Sequence, residues 1–269
     1  MSKDLSQIEF YFPTGKFKNK NDIVDSTISL MKDKGSTGYS GYANVDLLKT
    51  GLLDHVGNGN VGQYKTPSLD KKKEIEDIIS ETIKKCNEKL SIPTKNFIFV
   101  HPYLPTLEDE VFDGVMAVAV YSCVFHLFIN LDQYTNKSLV NTVAHELNHT
   151  IYYYHHYDDF NNYTLLDEIL LEGLAENFRE EYFDKKITPW AGSLSKDEAF
   201  SVLKQSNNLL DCRDQSVIKD FLFGNKQFKK WTGYSSGYWL VKEFRFQNQD
   251  LSWEELMKIK QRRFLEILK

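Results

Sequence analysis

Cysteine is scarce in this chain. Cys86, Cys123 and Cys212 are the three in 269 residues, and no two form a CxxC pair. A disulfide framework and a cysteine-built zinc site are therefore not expected, and a reducing compartment is. Long apolar runs are missing too. The longest, Val115 to Ile129, is short for a membrane span and carries Ser122 and His126, so it reads as buried strands. Met1 to Phe12 lacks a charged start followed by an apolar stretch, so no secretory signal is read and a cytoplasmic location is expected. Internal repeats, low-complexity tracts and a basic patch are also lacking, which argues against a nucleic-acid or membrane partner.

What remains is an ordinary globular composition, with 41% hydrophobic and 26% charged residues, and 15 Tyr and 18 Phe to fill a core. The length suits one large domain or two small subdomains sharing a cleft. The net charge of -5 is uneven: residues 1–100 sum to +2, 101–200 to -12 and 201–269 to +5. An acidic middle is most simply a set of solvated helix faces; the sharper reading is a cleft for cations or basic substrates.

Periodicity predicts helices around Asp22–Lys34 and Val45–Leu53, then a linker-like stretch from Gly51 to Pro67. A strong helix follows over Leu69–Leu90, with Ser68 as N-cap and Ile75, Ile79, Ile83 and Cys86 in one apolar stripe. Three short strands are expected at Asn96–Val100, Gly114–Tyr121 and Phe125–Leu131. From Ser138 onward the pattern is helical. The order of elements indicates an α+β fold: a small mixed sheet with a backing helix, then a mainly helical C-terminal subdomain.

Chemistry concentrates in His145-Glu146-Leu147-Asn148-His149. Asn136 or Ser138 can cap a helix through Leu139, Val143, Leu147 and Ile151. On it His145 and His149 project from one face, one turn apart, so two imidazole nitrogens can meet one ion. Glu146, next round the helix, can act as a base toward a water without being a ligand. This is the HExxH pattern of zinc hydrolases.

A catalytic zinc ion needs a third protein ligand. His155 has the spacing of HExxHxxGxxH, but that pattern needs a glycine where Tyr152 stands. Glu172 is the better candidate. It lies on an expected helix, Leu165–Phe183, beside Gly173 and Ala175, whose small side chains permit a close helix approach. Glu176, one turn on, could accept the N–H of a ligating histidine. A stripe such as Glu168, Glu172, Glu176, Glu180 is usually a solvated face, which is the plainer reading for Glu180 and a weaker one for Glu172.

HELNH followed by Leu171-Glu172-Gly173-Leu174-Ala175-Glu176 resembles the gluzincins, HExxH peptidases whose third ligand is a glutamate on a later helix. Tyr234-Ser235-Ser236-Gly237 is similar to their YxxG segment, whose tyrosine steadies the oxyanion. The whole pattern is closest to the predicted zinc-dependent proteases of the YjaZ type and covers about Asn96–Phe246. The resemblance implies a zincin-like fold and one zinc ion held by His145, His149 and Glu172. It makes Glu146 the general base and Tyr234 the oxyanion donor, with Tyr238 as fallback. It also implies an edge strand whose main chain at Val115, Met116, Ala117 and Val118 pairs with a peptide or protein substrate. No GxMEN segment precedes the motif, so the expected activity is that of an endopeptidase.

On this reading residues 1–67 form an N-terminal region without an assigned role, and 68–269 the peptidase domain. Residues 68–156 hold the helix, sheet and HExxH helix, and 157–269 the helical part with the third ligand. Two other readings stay open. One is a regulatory protease specific for a single partner protein. The other is a zinc-binding module without catalysis, against which Glu146 argues, because a structural site has no use for a base.

Overall fold

A computed structural model describes residues 8–34, 45–55, 65–92, 95–102, 113–121, 123–156 and 162–269. The first described element is a short strand, β1 (Ile8–Tyr11), which the sequence pattern did not suggest. Helix α1 (Lys20–Asp33) follows, opened by a reciprocal cap in which Asn19 accepts from Asp22 N–H and Asp22 returns the bond. Helix α2 (Val45–His55) takes up Gly51 to His55, which had looked like linker. Residues 56–64 of that stretch lie outside the described residues. Helix α3 (Leu69–Asn87) starts at Ser68 as expected, with Ser68 Oγ accepting from Lys71 N–H.

The sheet is completed by β2 (Asn96–Pro102), β3 (Val115–Tyr121) and β4 (Val124–Ile129). Its order is β1-β2-β4-β3. β1, β2 and β4 run parallel, and β3 returns antiparallel on β4, so the sheet is small and mixed. The turn into β3 explains a glycine. Gly114 has φ +74°, and a Cβ there would stand 2.9 Å from the Tyr134 backbone nitrogen. Its smallness serves this turn.

One face of the sheet, with Phe97, Phe99, Val124 and Phe128, is covered by Ile23, Val24, Ile28 and Met31 of α1 and Leu48 and Leu52 of α2. Part of the N-terminal region thus completes this core. The opposite face is equally dry: Ile98, Val100, Phe125, Leu127 and Ile129 are all buried, and so every residue of β4 is. Helix α4 (Asn136–His156) comes next. Its cap is neither Asn136 nor Ser138 alone. Thr135 Oγ1 accepts from Ser138 N–H at 3.0 Å while Ser138 Oγ accepts from Thr135 N–H at 3.0 Å. The Tyr134 hydroxyl donates to Glu74 at 2.9 Å, tying the start of α4 to α3.

The chain divides into two units, residues 1–154 and 155–269. The second is helical: α5 (Leu165–Tyr182), α6 (Lys196–Gln205), α7 (Gln215–Phe223), α8 (Thr232–Gln247) and the short α9 (Trp253–Leu256) and α10 (Gln261–Phe264). α5 is buried on nearly all sides, from Leu165 through Arg179. It crosses α8 at two glycines. A Cβ on Gly173 would lie 2.3 Å from the Gly237 carbonyl oxygen, and one on Gly237 would lie 2.0 Å from that of Ile169. Asn177 Nδ2 stitches the crossing by donating to Gly173 O at 2.8 Å and Tyr238 O at 2.9 Å. No described helix is long and apolar enough to cross a membrane, and none of the three cysteines is disulfide-bonded.

Candidate metal centre

α4 carries the HELNH segment. Leu139, Val143, Leu147 and Ile151 form the apolar row that buries the helix. That row fixes the rotation of the helix and turns His145 and His149 to another face. Their rings meet edge to face, with centroids 4.4 Å apart. Metal-binding atoms of His145, Glu146 and His149 all lie within 4.8 Å of one another, and among the described residues this is the one such cluster. His149 and Glu146 are buried, and His145 is half-buried.

Burial, and then the nearby His145, hold the His149 ring well below the usual histidine range. The ring is therefore neutral, which is the form that offers a lone pair to a metal. Two imidazoles and a carboxylate of this kind fit a zinc ion better than a hard oxygen-seeking cation. α4 also runs unbroken past Tyr152 to His156. A continuous helix carries His155 about 9 Å beyond His149 and roughly 120° round the axis, so the turn required by the HExxHxxGxxH arrangement is absent. His156 instead bonds the Met257 carbonyl at 2.7 Å.

The other residues that the sequence singles out lie in the second unit. Glu172 is buried on α5, beside the Gly173–Gly237 crossing. The close contact expected at Gly173 is thus made with α8, and it brings together the two segments, EGLAE and YSSG, that the sequence had singled out separately. Glu176 is fully buried. Its carboxylate accepts from Trp190 Nε1 at 2.9 Å and Thr188 Oγ1 at 2.8 Å, and it pairs with Arg179 at 3.3 Å. Tyr234 is half-buried on α8, with its ring 5.9 Å from Phe223. Tyr238 is fully buried; its hydroxyl donates to Glu180 at 2.7 Å and stands beside Lys242.

The acidic stripe of α5 is therefore not a solvated face. Burial, reinforced by the charge of Glu172, pushes the Glu168 carboxyl up to about 8, against a bond from Tyr163 that lowers it. The alternation of large apolar residues with these glutamates right round the helix was the signal available in the sequence. Trp190 and Thr188, which hold Glu176, had no such signal.

In the first unit, Val115 to Val118 lie on β3, the last strand of the sheet. Met116, Ala117 and Val118 are half-buried. A pair absent from the sequence reading is His101 and His126, buried on β2 and β4 with ring nitrogens 3.1 Å apart.

Residues 75–266 match a family model described as "Predicted Zn-dependent protease (DUF2268)". The chain is also similar to the uncharacterized protein YjfC of Bacillus subtilis (strain 168), 24% identical over 236 residues that cover 81% of this chain and 77% of that one. No solved structure matches.

Proposed function

The chain belongs to the family of predicted Zn-dependent proteases (DUF2268), and from that premise we propose that it is a gluzincin-type endopeptidase on a zincin-like fold, holding one zinc ion through His145, His149 and Glu172. The observation that carries the proposal is the cluster on α4: a neutral buried imidazole, a second imidazole one turn away and a carboxylate between them. The substrate is a peptide or protein.

A bound zinc ion supplies Lewis acidity, polarising the scissile carbonyl and acidifying a water. Glu146 would take a proton from the attacking water and return it to the leaving amine. Tyr234 donates a hydrogen bond to the oxyanion. Tyr238 is only a fallback, because its hydroxyl is already given to Glu180. Glu176, held by Trp190, Thr188 and Arg179, accepts the N–H of a ligating histidine and fixes its tautomer. The edge strand β3 pairs through its main chain at Val115–Val118 with an extended substrate backbone.

The test is Glu146→Gln. The variant is expected to keep stoichiometric zinc, read by metal analysis, and to lose about 10²-fold or more of its hydrolysis of peptides or unfolded protein. Loss of metal from this variant would show that the roles are assigned wrongly. Stoichiometric zinc in the wild type with no hydrolysis of any peptide or protein offered would favour a binding module instead.

A further inference from the structure

The fourth residue of HELNH has no part in the mechanism above. Asn148 is 0% exposed, and neither its amide oxygen nor its amide nitrogen has a hydrogen-bond partner. A buried group left without its hydrogen bond costs about 1–3 kcal/mol. An apolar side chain would fit this position without that cost, since Leu147 beside it and Ala144 one turn back are both fully buried. On an otherwise well-patterned helix, the amide needs a partner that arrives from outside the protein or moves when something binds.

Helix geometry names that partner. Residues three apart are neighbours on a helix surface, with Cβ atoms about 5–6 Å apart. Helical side chains lean toward the N-terminus, so the amide of Asn148 overlies the turn that carries His145. Asn148 lies on one flank of the helix and Glu146 on the other, about 160° apart round the axis. A histidine ligating a metal through one ring nitrogen carries a proton on the other, and that N–H needs an acceptor to hold the ring in place.

We propose that Asn148 is a positioning residue for the metal centre, its carboxamide oxygen accepting the ring N–H of His145 once His145 ligates zinc. The proposal rests on the zinc-binding reading given above. Its signature is a trade between the two states. The metal-free protein carries the amide unpaired, and the zinc-loaded protein uses it.

The experiment compares wild type with Asn148→Leu, Asn148→Ala and Asn148→Asp. Two quantities are measured: zinc affinity by competition with a chelator, and thermal unfolding of the metal-free protein. Asn148→Leu is expected to unfold at higher temperature without metal, yet to bind zinc roughly 10- to 100-fold more weakly. Asn148→Ala should show the same loss of affinity, so the prediction survives if the larger side chain is not accommodated. Asn148→Asp, which keeps an acceptor, should bind zinc within about threefold of wild type. If the leucine and alanine variants bind zinc as tightly as wild type, the proposal is overturned while the zinc-binding reading stands. If the wild type binds no zinc, that earlier reading fails first, and the two failures are distinct.

Discussion

His101 and His126 meet across two parallel strands, with ring nitrogens 3.1 Å apart; His145 and His149 meet one turn apart on a helix, with ring centroids 4.4 Å apart. Burial lowers the pKa in both places, to about 3 at His101 and well below the usual range at His149. A neutral ring is therefore present in each pair, and neutrality does not separate them. What separates them is the groups that surround the rings. In the sheet, one imidazole is donor to the other, and the rings are stacked among Phe99 and Phe128. On the helix, the rings stand edge to face with Glu146 among their metal-binding atoms. A buried neutral histidine becomes a ligand only where further donors converge on its lone pair.

The sharpest way to break this distinction is to delete one member of each pair. His149→Ala leaves α4 with a single imidazole and should abolish stoichiometric zinc binding at micromolar metal, with the circular dichroism spectrum unchanged. His101→Gln should leave zinc content at the wild-type level. Zinc retained in His149→Ala, or lost from His101→Gln, would mean that the metal is held elsewhere.

Acid should expose the sheet pair. The unfolded chain has His101 near 6.5 and the fold holds it near 3, so the fold binds the neutral ring. The stability this contributes is fully present above pH 6.5 and is lost as pH falls from 6.5 to 3. At about 1.36 kcal/mol per unit, roughly 3 kcal/mol is gone by pH 4, and the ceiling is near 5. Urea unfolding of metal-free protein between pH 7 and pH 4 reads this directly. Wild type should lose stability faster than His101→Gln, whose amide does not titrate; His149 is present in both and cancels in the difference. Parallel curves would show that His101 takes up its proton without strain.

The same contrast explains what could be read in advance. HELNH is legible because metal chemistry demands fixed residue types at one helical spacing, all within five residues. The long helices and three of the strands were legible because the apolar rows Ile75–Ile79–Ile83 and Leu139–Val143–Leu147–Ile151 have a period. β1 was not: four half-buried residues are too few to show alternation, and the strand exists because β2 pairs with it. The His101–His126 contact depends on strand register, which no local pattern contains. The acidic stripe of α5 was only partly legible, because i, i+4 glutamates usually face water and only Gly173 and Ala175 set Glu172 apart. Here Trp190, Thr188, Arg179 and Lys242, all distant or offset in sequence, supply their partners. Gly173 announced a close contact, but only the fold could say that its partner is Gly237.

The third donor is where the comparison between the pairs is decided, since two imidazoles alone make neither site catalytic. Glu172 and Glu168 stand one turn apart on α5, and they test that point against each other. The Glu168 carboxyl is already engaged by the Tyr163 hydroxyl, whereas Glu172 lies beside the glycine crossing in the segment the family resemblance marks. Glu172→Ala should weaken zinc more than about 100-fold, beyond what removal of a supporting residue costs, and Glu168→Ala less than about tenfold. Chelator competition on both variants, with unfolding curves to confirm that each is native, makes the measurement. The reverse order of effects would move the third ligand one turn back along α5. Equal small effects would leave the helix pair with only Glu146 beside it, and it would then differ from the sheet pair by one carboxylate.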